Sequence, residues 1–172
     1  MKQSELNRIL DQHKLWLDSN GSQGERADLI NADLSGANLS RANLRRANLS
    51  GSKLTDANLY LANLFGANLT DANLRGAYLH GVKLTDANLR GAYLHGVKLT
   101  GVNLSGVNLT DANLTYAILS GTDLTYADLT GSILNSKYMS NAKVDHSQLS
   151  WLATDPNFCD WVGLLDVKKE AA

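Results

Sequence analysis

Two histidines in identical surroundings are the first candidates for acid–base chemistry. His80 and His95 each end the sequence Arg-Gly-Ala-Tyr-Leu-His and lie 15 residues apart. A histidine serves as a general base when a carboxylate orients its ring near the reacting group. Their use therefore depends on which residues the fold places beside them.

Carboxylates and a single thiol are the other groups that could bind a metal ion or act in catalysis. Asp71, Asp86 and Asp111 repeat in the sequence Thr-Asp-Ala-Asn, and such groups bind divalent cations when several of them meet. One cysteine, Cys159, excludes an internal disulfide and a multi-cysteine metal site. Because its surroundings are apolar, we expect Cys159 to be a buried small hydrophobe rather than a nucleophile.

A five-residue period positions all the side chains of the central segment. Leucine occupies every fifth position from Leu29 to Leu134, which makes 22 consecutive leucines, and Met139, Val144 and Leu149 continue the register. The residue two positions before each is small and usually alanine. The repeated unit is Ala-(Asn/Asp)-Leu-x-x. Its glycines follow this period rather than a strand-to-helix junction, so they do not form a phosphate-binding loop.

Neither regular element accommodates a step of five residues. On a helix the leucines would scatter around the axis, and on a strand successive leucines would lie on opposite faces. The chain must therefore bend once in each unit. The last position of the unit is mostly Gly, Asp or Asn, which tolerate the positive φ required at the third residue of a type II turn.

The repeat resembles the pentapeptide-repeat family over residues 27–151, and the chain looks like one of the bacterial members that are abundant in cyanobacteria. The resemblance implies an all-β solenoid, namely a right-handed quadrilateral parallel β-helix in which four units make one coil. Leucine and the small residue would point inward, and the handedness agrees with the rule for parallel crossovers. About six coils stacked ~4.8 Å apart would make a rod roughly 30 Å long.

Coils of twenty residues would keep the chemically capable residues apart. His80 and His95 would fall on adjacent faces, with neighbours that are not acids, and the three aspartates would alternate with glycines and act as turn formers. We therefore expect no catalytic residues, no metal site and no cofactor. One column would hold stacked amides that hydrogen-bond along the rod: Asn48, Asn68, Asn88 and Asn108.

A solenoid must cover the strand edges and the core at its two ends. Residues 1–24 are expected to form a capping helix and connector, with Ser4 as N-cap, before a β-helix over residues 25–151. Residues 152–172 are expected to form a C-terminal helical cap that starts at Asp155-Pro156. Alternatively, Trp151 and Trp161 would form a homodimer contact, so the chain is expected to be a monomer or a homodimer through this end.

Outward positions are mostly Asn, Ser, Thr and Gly, so large or charged exceptions indicate where a protein partner would bind. Aromatic residues and arginine are enriched at interaction hot spots. The alternative is that these are scattered surface residues with no partner. We define the docking strip as one face, with Tyr60, Leu61, Tyr78, His80, Lys98, Ile118 and Tyr138, and the adjoining corner, with Arg41, Arg45, Arg46 and Phe65.

Charge and composition restrict the function further. The formal net charge is −1, and residues 25–150 hold 11 Lys+Arg and 10 acids, so their net charge is 11 − 10 = +1. This balance favours neither direct nucleic-acid binding nor the DNA mimicry by which some family members inhibit type II topoisomerases such as gyrase. An enzyme is disfavoured because a leucine-filled prism offers no concave pocket.

The leading interpretation is therefore a noncatalytic protein-binding or scaffold module with an unknown protein partner. DNA-mimicking inhibition of gyrase is the alternative. No apolar stretch approaches the roughly 18 residues of a membrane span, and the first residues lack a signal-peptide core. The sequence thus predicts no membrane association and a cytoplasmic location.

Overall fold

The computed structural model describes residues 1–134, 139–145 and 147–148, together with the backbone of residues 166–168. Along the chain these contain helix α1 (Gln3–Asp18), then the repeats, then strands β1 (Lys143–Asp145) and β2 (Asp166–Lys168). Among these residues, no helix has the length and apolarity that a membrane crossing would need.

Every unit of the repeat that the structure describes turns a corner, as the sequence predicts. The leucine carbonyl accepts a hydrogen bond from the N–H three residues later, for example from Ala32 to Leu29 at 3.1 Å and from Ala92 to Leu89 at 3.0 Å. The third residue of each turn has positive φ, such as +54° at Asn31 and +66° at Gly91. These values are those of a type II turn.

Parallel bridges join residues twenty positions apart, so one coil comprises four units. The bridged residue is the one before each leucine, and its side chain points outward. The four columns of bridged residues define four faces. The first face is Asp28, Asn48, Asn68, Asn88, Asn108 and Asp128; the second is Asp33, Lys53, Asn73, Tyr93, Asn113 and Ile133; the third is Asn38, Asn58, Tyr78, Lys98 and Ile118; the fourth is Asn43, Asn63, Lys83, Asn103, Asp123 and Lys143.

The core is a column of leucines flanked by alanines. Leu44 through Leu74 are at most 1% exposed, as are most of the small residues that precede them. The space between Leu64 and Leu104 has no room for a water molecule. Burial of each leucine contributes about 1.5–3 kcal/mol to folding, so the interior stabilises the rod and leaves only its exterior for function.

Helix α1 lies against the first coil. Leu6 and His13 are buried, and Ile9 and Leu10 pack partly against the core. The N-cap is Lys2, and it makes no side-chain cap hydrogen bond. The prediction of Ser4 as N-cap is therefore wrong, since Ser4 lies inside the first turn.

Side chains of α1 pair with backbone groups that the first coil leaves free. The Gln3 carboxamide donates to the Asn38 carbonyl at 3.1 Å and accepts from the Asn38 N–H at 3.2 Å. His13 Nδ1 accepts from the Ala27 N–H at 3.1 Å. These bonds replace the strand that an additional coil would supply, so they terminate the β-helix.

The last described coil ends in a buried polar group. Asp145 Oδ2 accepts from the Tyr126 N–H at 2.7 Å, and Gln148 Nε2 donates to the carbonyls of Leu124 and Ala127. Burial raises the pKa of Asp145, but hydrogen bonds from the Ser147 side chain and from backbone N–H groups outweigh this, so its pKa is lowered overall.

Within the segment expected to form a helical cap, the structure describes only residues 166–168, and these are strand rather than helix. They form β2, which pairs in parallel with β1 in the register Val144 to Val167. The physical reason is that β1 would otherwise present free N–H and C=O groups at the end of the coil. The predicted helix start at Asp155-Pro156, Cys159, and the tryptophans of the homodimer alternative lie outside the described residues.

Candidate docking surface

The predicted docking strip divides into two groups, because its arginines do not share one corner. Arg41 lies at the corner between the third and fourth faces, where its N–H bonds the Tyr60 carbonyl at 2.7 Å. Arg46 lies at the next corner, between the fourth and first faces, where its N–H bonds the Phe65 carbonyl at 2.9 Å. Tyr138 lies outside the described residues.

The first group centres on stacked side chains at the third face. The rings of Tyr60 and His80 are parallel, with centroids 5.8 Å apart. Leu61 lies so close to Gly81 that a Cβ there would approach Leu61 Cδ2 to 2.6 Å. The sequence predicted Tyr60 as the neighbour of His80, and the structure confirms it: an aromatic ring rather than a carboxylate contacts this imidazole.

The second group is an arginine on an aromatic ring. The Arg45 guanidinium carbon lies 5.6 Å from the Phe65 ring centroid, within the range of a cation–π contact. The fourth face separates this pair from Tyr60 and Leu61. A flat partner could touch both groups only by covering that face.

Several corners hold bulky residues where the turn geometry favours glycine or asparagine. For a residue with a Cβ, the left-handed helical region of φ and ψ costs roughly 1–2 kcal/mol of conformational free energy relative to the right-handed region. Three of the five bulky residues belong to the docking strip, and they are exposed enough that core packing does not explain them. The five are Arg41 (φ +59°), Arg46 (+59°), Leu61 (+55°), Tyr116 (+60°) and Tyr126 (+61°).

Sequence analysis missed a second aromatic patch at the corner between the second and third faces. His95 meets Tyr116 edge to face at 5.3 Å between centroids. Tyr93 and Ile133 on the second face are each 55% exposed. The signal was available, because Tyr116 occupies the turn position that most units fill with Gly, Asp or Asn.

The predicted asparagine ladder forms at one step only. Asn68 Nδ2 donates to Asn48 Oδ1 at 3.2 Å, and the Oδ1 atoms of all four asparagines accept from the N–H two residues later in their own turns. This turn bond recurs along the rod, from Asp28 to Asp128. The prediction of a continuous ladder is therefore wrong, since the bond between coils forms only from Asn68 to Asn48.

The repeated aspartates lie at corners, separated by glycines. Asp71 and Asp111 share a column with Gly91 between them, and the Asp71 carboxylate fills the space beside Gly91 that a Cβ would occupy. Asp86 lies at a different corner, next to Gly106. In the described part of the chain, no three acids, histidines or cysteines are close enough to hold a metal ion.

The exterior is less flat than the sequence predicts. A depression of about 460 Å³ on the third face is lined by Gly76–His80 and by Gly96, Val97, Lys98 and Thr100. A second, also about 460 Å³, lies on the fourth face among Arg45, Phe65, Lys83 and their neighbours. The expectation that the prism offers no concave surface is therefore wrong. Lys98 is the cation of the first depression, and neither depression is lined by a carboxylate.

Comparison with known families settles the identity of the repeat. The family model described as pentapeptide repeats matches residues 25–59, 62–101 and 103–136 in 8 copies. The chain belongs to the pentapeptide-repeat family. Membership implies a right-handed quadrilateral β-helix, and the four corners in each twenty-residue coil are those of a quadrilateral.

Solved pentapeptide-repeat structures are similar to this chain. HetL, from the cyanobacterium Nostoc sp. strain PCC 7120, is 34% identical over 69% of this chain and 62% of its own, with a TM-score of 0.47; it is described as involved in heterocyst differentiation regulation. The chain thus spans less than two thirds of HetL. Rfr23 from the cyanobacterium Cyanothece 51142 is 27% identical over 75% of this chain and 91% of its own, with a TM-score of 0.32.

A third similar structure is QnrB1, described as a plasmid-mediated fluoroquinolone resistance protein. It is 20% identical over 82% of this chain and 88% of its own, with a TM-score of 0.34. Comparison with functionally curated proteins finds no match.

Proposed function

We propose that this pentapeptide-repeat protein is a noncatalytic module that binds another protein through the docking strip, in the cytoplasm. The observation that supports this proposal is the presence of bulky side chains at corners where their backbone conformation destabilises the fold. At Arg41 and Leu61, glycine would relieve the strain of positive φ. A residue that stabilises neither its turn nor the core is explained by a contact outside the rod.

The two side chains also sit together. Arg41 and Leu61 are successive residues in one corner column, and Tyr60 beside them stacks on His80. Arginine and tyrosine are enriched at interaction hot spots, and the rigid backbone beneath them needs no ordering when a partner binds. The rigid rod supplies the positioning, and the strip supplies the contacts.

The proposal is tested by substituting side chains of the docking strip while the fold is kept. We expect Arg41→Gly, Tyr60→Ser and Leu61→Gly, combined, to keep or raise the melting temperature while abolishing capture of a partner. The matched control combines Ile30→Ser, Asn31→Gly and Asp71→Gly at the diagonally opposite corner. Capture from the native cell, quantified by mass spectrometry, compares the two variants with the unaltered chain.

The comparison discriminates clearly between a docking strip and an inert surface. A protein retained by the unaltered chain and by the control, but lost with the strip variant, supports the proposal. Equal capture by all three chains, or equal loss from both variants, contradicts it.

A further inference from the structure

The stack of coils is open along one stretch within residues 1–134. Seven pairs of backbone groups between residues 76–86 and residues 95–105 lie outside good hydrogen-bond geometry, although the same seven positions are bonded in the junction below and in the junction above. We call this stretch the seam. The seven pairs, donor first, are Gly76 to His95, Leu79 to Lys98, Lys98 to Ala77, Gly81 to Thr100, Leu84 to Asn103, Asn103 to Val82, and Asp86 to Ser105.

The seam is widest on the third face. The bridge between Tyr78 and Lys98 is missing, while Lys83 and Asn103 on the fourth face remain paired as a bridge, so the two bonds of that bridge are weakened rather than lost. The depression of about 460 Å³ on the third face lies at this place. Tyr78 at its edge is 71% exposed. On the third face, the backbone groups of the seam are therefore not paired with each other.

The opposite side of the same junction is closed. On the first face the Leu69 N–H bonds the Asn88 carbonyl at 2.7 Å, and on the second face the Leu74 N–H bonds the Tyr93 carbonyl at 2.9 Å. The turn hydrogen bonds within each unit also persist, for example from Val82 to Leu79 at 3.2 Å. Each coil thus keeps its own shape, and the two halves of the rod separate along one side only.

Valines take the place of alanines beside the seam. The inward small position of the fourth face holds Val82 directly below Val102, whereas the same column holds Ala42 and Ala62 in the coils beneath. A stack of two β-branched residues does not by itself open a junction, because Thr122 stacks on Val102 and the Asp123 N–H there bonds the Val102 carbonyl at 3.0 Å. Val82 and Val102 are 4% and 3% exposed, while Ala62 is 0% exposed.

We propose that the seam is a hinge at which the rod opens and closes, with the first and second faces as its axis. The docking strip crosses the seam: Tyr60 and His80 lie on one side, and Lys98 and Ile118 lie on the other. Opening of the hinge changes the spacing of the two halves of the strip and thereby regulates which partner surface fits. This consequence rests on the proposed function, whereas the hinge itself does not.

Amide hydrogen exchange tests the seam without a partner. We expect the amides of Leu79, Gly81 and Lys98 to exchange about tenfold faster or more than those of their column neighbours one coil away, because unbonded amides lack protection. The matched neighbours are Leu59, Leu61 and Ile118, whose bonds are 2.9, 3.0 and 2.9 Å long. Equal protection of the two sets overturns the proposal, while the docking strip would remain testable by capture.

A pair of core variants tests whether Val82 contributes to the opening. Val82→Ala restores the alanine of the coils below and should slow exchange at Leu79, Gly81 and Lys98 toward the rate of their neighbours. Val107→Ala is the control, since Val107 lies between Ala87 and Ala127 in a bonded column. Unchanged exchange in Val82→Ala overturns the role of the valines.

Distance measurements test the motion. Spin labels at Tyr60→Cys and Ser120→Cys span the seam, and labels at Ser50→Cys and Thr110→Cys span the closed side, both in a Cys159→Ser background. We expect a broader distance distribution across the seam by double electron–electron resonance. Equally narrow distributions across both sides overturn the hinge.

Discussion

At the scale of the residue, a few outward atoms decide how closely the coils stack. Asparagine or aspartate before a leucine closes its own turn, as Asn58 does with the Tyr60 N–H at 3.0 Å. Aspartate at a corner fills the space beside a glycine of the next coil, as Asp71 does beside Gly91. The polar residues of the repeat thus stabilise their own turns and the contacts between coils. Their oxygen atoms are engaged with the backbone rather than with a ligand.

Two glycines with the same φ and different neighbours make this contact between coils measurable. Gly91→Ala and Gly101→Ala both place a Cβ at φ near +66°, which costs about 1 kcal/mol each. Only the new Cβ at position 91 meets the Asp71 carboxylate, while nothing lies within 4 Å of position 101. We expect Gly91→Ala to lower the melting temperature more. Equal losses in thermal denaturation would show that the carboxylate moves aside freely.

At the scale of the element, helix α1 works as a substitute coil. Its Gln3 and His13 side chains bond backbone groups of the first coil, and the ammonium group of Met1 donates to the Asp33 carbonyl at 2.7 Å. His13 is fully buried, stacks on Trp16 with 5.6 Å between ring centroids, and accepts from the Ala27 N–H at Nδ1. The end of the rod therefore depends on a neutral imidazole.

This dependence predicts a loss of stability in mild acid. Burial lowers the pKa of His13 and the Arg26 charge lowers it further, although the Arg45 carbonyl opposes the shift. The unfolded chain, whose histidine has a pKa of about 6.5, therefore binds the proton more readily than the folded chain. The His13 contribution to stability is complete above that pH and declines as the pH falls below it.

The His13→Gln variant isolates this effect, because glutamine keeps an acceptor for the Ala27 N–H and does not titrate. We expect the melting temperature of the unaltered chain to fall more than that of His13→Gln between pH 7.5 and pH 5.5. Parallel falls in the two chains, followed by circular dichroism, would contradict the assignment.

At the scale of the whole molecule, the exterior lacks the charge of a nucleic acid. Duplex DNA about 30 Å long carries roughly 18 negative charges, one for each ~1.7 Å. Residues 25–150 hold 10 acids, offset by 11 basic residues. The corner aspartates are also separated by glycines rather than aligned in a continuous row. The rod therefore has the regular shape of a duplex without its negative electrostatic potential.

A supercoiling assay tests this reasoning. We expect no inhibition of gyrase by this protein at concentrations at which a DNA-mimicking member of the family inhibits. The assay should also show no direct retention of DNA, since the net charge of the repeats is close to zero. Inhibition at stoichiometric concentration would show that shape alone suffices and would replace the scaffold proposal.

The sequence by itself determined the period, the corners and the core, because one inward leucine and one turn residue in every five leave the backbone a single way to bury them. Tertiary structure decided how the coils fit against each other. The separation of Arg41 from Arg45 depends on which corner each unit reaches, and the seam lies between residues 76–86 and residues 95–105, which are about twenty positions apart. Local patterns specify a unit, whereas the contacts between units depend on residues that only the folded coil brings together.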